Sequence, residues 1–347
     1  MAWLVLPRSF VRSRWAAAAT AGMVVMGMAA VPAGASPRAH ADHGGPGRGG
    51  WSTVFQDNFD GPAGSGVDNQ WTYDIGAQYT GTGCAPHWGT QEVETETASP
   101  ANVSLDGQGH LDITALDSGG SWTSGRIETV RDDFQAPPGG EMLVSATIQQ
   151  PGPANGIGYW PAFWMLGSGY RQTGFGIAGL MDCSAWPTTG EIDVMEDVNA
   201  MSDVAGTLHC GFISYSPSFN GGPCNEYTGL SSGLKPCPGC QTGYNTYSVI
   251  VDLTDPANGQ IRWYLNGTQY YSVSESQVGT QYWNDVVGHG FFLILDLAVG
   301  GAFPNAVCNC SSPTSATTSG GSMSVANVTV AVRYGGRGHQ HFSGDHR

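Results

Sequence analysis

Short runs of β-forming residues recur along this chain between clusters of Gly, Pro, Asn and Asp, and sustained helical periodicity is almost absent. Several runs alternate apolar and polar residues, as strands with one buried face do. The clearest runs are 111–115, 143–148, 247–253, 261–265, 291–297 and 325–332. The segment 263–271 predicts a hairpin that turns at Asn266-Gly267. Short strands with turn-rich connections predict an all-β fold, either a sandwich or a barrel.

The N-terminal 41 residues have the pattern of a secretory signal peptide. They carry four arginines and no acid, and an apolar stretch over 15–31 precedes two small-x-small sequences. Cleavage is expected after Ala35 or Ala41. A membrane anchor is the alternative, but the apolar stretch is short for a bilayer span. We therefore expect a secreted, extracellular protein with a flexible lead-in at 42–50, one domain at 51–334 and a disordered tail at 335–347.

The composition of the chain indicates which classes of partner it can bind. The chain has a net charge of −15, and only 12% of its residues are charged, so it repels nucleic-acid phosphates. Its 11 Trp and 13 Tyr suit stacking on sugar faces, although aromatic rings also fill cores. All eight cysteines follow the leader, which predicts disulfides of undetermined pairing. A zinc site built from the pairs 237/240 and 308/310 is the alternative, but it fits zinc spacing poorly.

The most informative segment is 190–196, where Glu191, Asp193 and Glu196 interrupt an apolar, β-branched run. Residues two apart on a strand share a face, so Glu191 and Asp193 point the same way and Glu196 does not. A single β-bulge at Val194 or Met195 would bring Glu196 to the same face. Clustered carboxylates repel each other and drive their pKa values apart, which is typical of active sites. The alternative is a solvated strand face with incidental acids.

Glycoside cleavage needs two carboxyl groups with different pKa values. One carboxylate attacks the anomeric carbon, and a second, protonated carboxyl releases the leaving oxygen. Carboxyl groups about 5–5.5 Å apart imply a covalent intermediate and retention of configuration. Strand spacing alone would place the two glutamates farther apart, at roughly 3.3 Å per residue. We therefore expect their side chains to lean together across a concave sheet.

The segment 191–196 resembles the active-site strand of glycoside hydrolase family 16, the laminarinase-like β-jelly-roll enzymes. The resemblance covers nearly the whole mature domain, in order. The matching segments are 55–61, 110–115, 124–129, 158–167, 186–191 and 291–301. It implies a jelly-roll sandwich of two antiparallel sheets with a concave, concanavalin-like substrate cleft. The extra residue between Asp193 and Glu196 resembles the bulged ExDxxE strand of laminarinases rather than the shorter ExDxE form.

The resemblance implies a role for each matching residue. Glu191 corresponds to the nucleophile, Glu196 to the general acid/base, and Asp193 to the residue between them that tunes the nucleophile. The implied substrate-binding residues are Trp160, Trp164, Trp186, His209, Arg126 and Glu92. For the tryptophans the alternative is core packing, for His209 an ordinary hydrogen-bonded histidine, and for Arg126 charge balance. Glu92 lies in segment 88–94, which departs from the asparagine-rich sequence of family laminarinases.

The resemblance favours a retaining endo-β-1,3-glucanase, with β-1,3-galactan, another β-glycan or transglycosylation as alternatives. A non-catalytic carbohydrate-binding module is the alternative of another class, although it would not need all three acids. Two-carboxylate catalysis requires no cofactor. Many relatives hold a structural calcium through an aspartate near the last strand, where this chain has Ala326. We expect a polysaccharide substrate, a monomer, and neither membrane nor nucleic acid as a partner.

Overall fold

A computed structural model of the protein describes residues 50–171, 181–217 and 220–335. The predicted signal peptide, nearly all of the lead-in and nearly all of the tail lie outside the described residues. Within these three ranges, no helix has both the length and the apolar character needed to cross a membrane.

The described residues form twenty strands and three short α-helices. The strands are β1 Ser52–Asp57, β2 Trp71–Tyr73, β3 Gly81–Thr82, β4 Thr95–Glu96, β5 Val103–Leu105, β6 Leu111–Ser118, β7 Ser121–Ser124, β8 Arg126–Thr129, β9 Glu141–Gln149, β10 Tyr159–Gly167, β11 Met181–Asp182, β12 Glu191–Glu196, β13 Asp203–His209, β14 Leu230–Ser231, β15 Lys235–Pro236, β16 Asn245–Asp252, β17 Gln260–Leu265, β18 Thr268–Ser274, β19 Phe291–Val299 and β20 Gly321–Arg333. The helices are α1 Glu275–Val278, α2 Thr280–Val287 and α3 Ala302–Cys308.

The strands form two large, mainly antiparallel sheets. The first has ten strands, in the order β18-β17-β16-β9-β20-β6-β7-β4, with β1 beside β20 and β5 beside β6. The second has eight, in the order β14-β13-β12-β10-β19-β8-β2, with β15 beside β13. Buried side chains from both sheets form one large apolar core. The chain is therefore a β-jelly-roll sandwich, which confirms the predicted fold class.

The predicted strands are present, and their burial follows the sequence pattern. Along β6 buried and half-buried residues alternate, as the apolar-polar alternation requires. By contrast β19 is buried at every position, because it lies in the middle of its sheet and is covered on both faces. The predicted hairpin joins β17 to β18 through Asn266 and Gly267, whose φ values of 50° and 77° are those of a tight primed turn.

All eight cysteines are paired in disulfides, so the predicted disulfides are confirmed and no thiol is left for zinc. The pairs are Cys84–Cys183, Cys210–Cys224, Cys237–Cys240 and Cys308–Cys310. The second of these pairs closes a loop directly after β13, the strand beside the acidic strand β12. That loop contributes to the site described below.

Candidate active site

The register of the eight-stranded sheet places the predicted site residues on one face. Strand β10 lies between β12 and β19, so its residue Ala162 pairs with Glu196 on one side and with Asp296 on the other. Side chains two apart on a strand share a face, so the residues two positions before or after these three lie on the same face. The functional side chains on this face are Trp160, Trp164, Glu191, Asp193, Glu196, Thr207, His209, Asp296 and Arg126.

The predicted β-bulge is present in β12. Phe163 and Trp164 are consecutive on β10, but their partners Met195 and Asp193 are two residues apart. Val194 is therefore the extra residue, and both it and Met195 are fully buried. The extra residue shifts the alternation of side chains by one position, so Glu196 faces the same way as Asp193.

The opposite sheet supports this bulge. Trp263, on β17, donates its indole N–H to the backbone carbonyl of Asp193 at 2.7 Å, and Trp263 is fully buried. Gly206, on β13, leaves room for the ring, since a Cβ there would lie 2.3 Å from its Cδ1 atom. A buried carbonyl without a donor costs about 1–3 kcal/mol. Trp263 therefore stabilises the bulge, a role that sequence reasoning did not identify.

Glu191 has a donor and a cation beside it. Trp186 donates its indole N–H to Glu191 Oε2 at 3.0 Å, and His209 Nε2 lies 3.8 Å from Glu191 Oε1. Burial raises the pKa of Glu191, and the His209 charge and the Trp186 N–H oppose that rise. About 17% of the Glu191 side chain stays exposed, so a substrate can reach it.

His209 is itself held by a carboxylate. Its Nδ1 lies 2.6 Å from Glu226 Oε2, and the other oxygen of Glu226 accepts the backbone N–H of Cys210 at 3.0 Å. Burial alone would lower the pKa of His209, but the Glu226 bond and the nearby carboxylates raise it to about 9. His209 is therefore a cation at neutral pH, and its Nε2 also lies 3.5 Å from Asp193.

Sequence reasoning missed Glu226. One signal could have found it: Glu226 follows Cys224 by two residues, and the disulfide partner Cys210 directly follows His209. If the Cys210–Cys224 pairing had been known, the sequence would have predicted that Glu226 lies next to His209.

Glu196 has the protonation behaviour of a general acid. Burial raises its pKa to about 7, against the hydrogen bond from Trp160 and the charge of His209. The Trp160 indole N–H donates to Glu196 Oε1 at 2.9 Å. Asp193 is 4% exposed, and burial together with the charges of Glu196 and Glu191 raises its pKa well above its ordinary value. The three carboxyls thus share fewer than three negative charges at neutral pH.

The polar groups of Trp164 and Arg126 bond acids other than Glu191, Asp193 and Glu196. Trp164 donates its indole N–H to Asp296 at 2.6 Å, and the Arg126 guanidinium lies 4.8 Å from the Trp164 ring centre. Arg126 is 4% exposed, and its Nε donates to Asp74 at 3.2 Å. These contacts fit the charge-balance alternative for Arg126 better than substrate contact, and the substrate-binding role stays a prediction.

Glu92 is also buried, at the edge of a set of acids near Arg126. Its Oε1 accepts the hydroxyl of Thr90, whereas its Oε2 has no hydrogen-bond partner. A Cβ at Gly301 would lie 3.3 Å from Glu92 and 3.2 Å from Trp160, so these two side chains are near neighbours. Its predicted contact with substrate stays a prediction.

We name the acids around Arg126 the covered cluster. Its members are Asp74, Glu92, Glu94, Glu96, Glu128 and Asp296, all buried. Glu96 has neither carboxyl oxygen hydrogen-bonded, and burial and Asp296 raise its pKa well above its ordinary value. Sequence reasoning did not foresee this cluster. The alternation of Glu92, Glu94 and Glu96 along one segment was a local signal for half of it, whereas Asp74, Glu128 and Asp296 come from distant segments.

The group that could bind a metal ion in the described ranges is Glu191, Asp193 and His209, whose ligand atoms lie within 4.8 Å of one another. A ligating histidine must be neutral at the coordinating nitrogen. A metal ion at His209 Nε2 would therefore have to displace a proton, since Glu226 and the nearby carboxylates raise the pKa of His209 to about 9. Position 326, where a calcium-binding acid was expected, lies on β20 and carries only a methyl group. Calcium binding stays an untested prediction.

A solved structure of similar sequence identifies the family. The endo-1,3-β-glucanase from Streptomyces sioyaensis is 43% identical, with a TM-score of 0.73, over 84% of this chain and 99% of that one. This chain belongs to glycoside hydrolase family 16. The predicted resemblance is therefore confirmed, and with it the enzyme class, glycoside hydrolase.

Two curated relatives extend the comparison. Glucan endo-1,3-β-glucosidase A1 from Niallia circulans is 29% identical over 73% of this chain and 34% of its own length. Keratan-sulfate endo-1,4-β-galactosidase from Sphingobacterium multivorum is 31% identical over 62% of this chain and 44% of its own length. The chain thus spans between a third and a half of these two relatives. No protein-family model matches the chain.

Proposed function

We propose that this protein is a secreted, retaining endo-β-1,3-glucanase in which Glu191 is the nucleophile and Glu196 the general acid/base. The observation that carries the proposal is the unlike surroundings of these two glutamates. Both glutamates are partly buried and accept an indole N–H, but Glu191 also pairs with the cation His209, which most strongly opposes the rise of its pKa, whereas the pKa of Glu196 is about 7. These are the protonation states that a nucleophile and an acid need.

The reaction proceeds in two steps. The Glu191 carboxylate attacks the anomeric carbon while the Glu196 proton passes to the glycosidic oxygen, which breaks that C–O bond and forms a glycosyl ester. Glu196, now ionised, takes a proton from a water molecule, whose oxygen attacks the anomeric carbon and releases Glu191. One water is consumed, and both carboxyls return to their starting states. His209 balances the charge of Glu191 before the attack and again after its release.

The β-1,3-glucan substrate is supported by the printed activities of the similar enzymes from Streptomyces sioyaensis and Niallia circulans. Secretion is supported by the leader-like sequence of the first 41 residues and by the four disulfides, which persist in oxidising compartments. We further propose that the enzyme acts as a monomer without a required cofactor.

A β-galactan substrate is the second candidate. One observation favours it, the 31% identity with the keratan-sulfate endo-1,4-β-galactosidase. The same two glutamates would cleave either polymer, because the mechanism acts at the anomeric carbon.

The test is reducing-sugar release from laminarin, lichenan, β-1,3-galactan and keratan sulfate, by the unmodified protein and by Glu191→Gln. Glu275→Gln, in helix α1, is the matched control for the charge change. We expect release from laminarin that is lost in Glu191→Gln and kept in Glu275→Gln. Release from a galactan alone would keep the mechanism and overturn the substrate. Sugar binding without cleavage of any polymer would contradict the proposal and favour a binding module.

A further inference from the structure

The segment after β13 exposes aromatic rings beside the nucleophile. Phe212, Tyr215 and Tyr227 are 39%, 78% and 62% exposed, although large apolar rings gain free energy by burial. Exposed rings that lie together, rather than singly, mark a binding surface. All three come from one stretch of chain after His209, but only Tyr215 and Tyr227 lie together, since Phe212 packs on Tyr282 of helix α2.

Two of these rings continue outward from the catalytic residues. Trp186, which donates to Glu191, stacks on Tyr227 with ring centres 5.9 Å apart and planes 13° apart. The hydroxyl of Tyr227 in turn lies 3.1 Å from the hydroxyl of Tyr215. The order Glu191, Trp186, Tyr227, Tyr215 therefore runs from a half-buried carboxylate to the most exposed ring.

The base of this row of rings is fixed in position. The Cys210–Cys224 disulfide closes the segment at its root. Glu226, next to Tyr227 in sequence, is anchored by His209 and by the backbone N–H of Cys210. Tyr227 is thus exposed at its ring and held at its backbone. A pre-positioned ring loses little conformational entropy when a ligand binds.

We propose that Tyr227 and Tyr215 form a glycan subsite that extends the binding site outward from Trp186. This inference rests on the proposed function, and it names where the polysaccharide chain continues beyond the cleaved bond. The apolar C–H face of a pyranose would stack on the rings, and its hydroxyls would bind the two phenol oxygens. The occupant is a sugar unit of the substrate chain, because the row of rings begins at the residue that contacts the nucleophile.

The test compares Tyr227→Ala and Tyr215→Ala with the unmodified enzyme on β-1,3-gluco-oligosaccharides of increasing length. Tyr244→Ala is the matched control, since Tyr244 is an exposed tyrosine that stacks on His110 and bonds Ser324 of the other sheet. The readout is kcat/KM at each length. We expect a loss of about 3- to 10-fold for each variant on long substrates and no loss on the shortest substrate cleaved.

The order of the rings sharpens the expectation. The loss in Tyr227→Ala should begin at a shorter chain than the loss in Tyr215→Ala, because Tyr215 is farther out. Equal kcat/KM in variant and unmodified enzyme at every length would overturn the subsite and leave the proposed function intact. A uniform loss at every length in both variants would also overturn it, since the rings would then act on the catalytic residues. Failure of the unmodified enzyme to cleave any oligosaccharide would contradict the proposed function itself, and the subsite with it.

Discussion

Glu196 and Asp296 are matched carboxyls on either side of Ala162. Each accepts an indole N–H from β10, Glu196 from Trp160 and Asp296 from Trp164. Burial raises the pKa of each to about 7. A raised carboxyl pKa and a tryptophan donor therefore do not by themselves distinguish a catalytic acid in this protein.

The groups that surround Glu196 differ from those that surround Asp296, and this difference separates their roles. Glu196 lies with Glu191 and Asp193 on a strand that stays partly exposed, next to the cation His209. Asp296 faces Arg126 and belongs to the covered cluster, where every acid is buried. A carboxyl works on a substrate when a second carboxyl of opposite protonation and an open path accompany it. The covered cluster has acids without that path.

The largest expected effect separates the matched carboxyls. Glu196→Gln should lower kcat on a polysaccharide by about 10²–10⁴-fold, because the general acid is lost. Asp296→Asn should lower it by less than about 10-fold, since Asp296 transfers no proton in the mechanism. Steady-state rates on laminarin check both. Comparable losses in the two variants, with both folded by circular dichroism, would contradict the different roles assigned to Glu196 and Asp296.

The pH dependence tests the same pair in the unmodified enzyme. Glu196 must be protonated to donate, so activity should fall as pH rises through about 7. Asp296 titrates in the same range and cannot be distinguished from Glu196 by the unmodified enzyme alone. A glycoside whose leaving group needs no proton separates them. With Glu196→Gln, activity on that glycoside should show no alkaline fall. With Asp296→Asn, the alkaline fall of activity on laminarin should persist. A fall unchanged in Glu196→Gln would assign it to another group.

A smaller effect is expected from Glu226→Gln. Loss of the Glu226 charge lowers the pKa of His209, so the imidazole carries less positive charge near neutral pH. Two influences on the pKa of Glu191 then change: the weaker His209 cation raises it, and the loss of the Glu226 charge lowers it. The His209 influence is the larger, so the pKa of Glu191 rises. Glu191 must be ionised to attack, so the acid side of the pH profile should move to higher pH, with a loss of about 10-fold near neutrality. An acid side that stays in place would show that Glu226 is only structural.

The smallest effect on activity, and a measurable one on stability, is expected from Glu96→Gln. A folded-state pKa above the unfolded value means that the folded protein holds the proton more tightly. Stability therefore falls as pH rises above the ordinary value of 4.5. Glu96→Gln removes that dependence, so its Tm should exceed that of the unmodified protein at pH 8 and approach it at pH 4. A Tm difference between the variant and the unmodified protein that is the same at pH 4 and at pH 8 would contradict the charge account of the covered cluster.

The sequence predicted the parts of this structure that depend on local patterns. The alternation along the strands, the Asn266-Gly267 turn and the bulge between Asp193 and Glu196 are all readable from neighbouring residues. The partners that complete the site were not predicted. Trp263 reaches the bulge across the sandwich, 70 residues from Asp193 in sequence.

The same reason explains the covered cluster. Asp74 and Arg126 meet although they are 52 residues apart, and no local pattern marks either as a partner of the other. Trp164 shows most clearly that a local pattern does not predict the partner of a side chain. It lies on the predicted face of the predicted strand, yet its indole donates to Asp296 in the neighbouring strand rather than to the catalytic acids.

The most direct test of the central claim is covalent trapping of the intermediate. A 2-fluoro-substituted β-1,3-glucoside with a good leaving group should form its glycosyl ester quickly and hydrolyse it slowly. Peptide mass spectrometry after acid quenching should then place the added sugar on Glu191. Glu196→Gln, in which the nucleophile is intact, should be labelled at the same residue. A label on Glu196 would reverse the assigned roles, and the absence of any label with α-anomer as the first product would contradict the retaining mechanism.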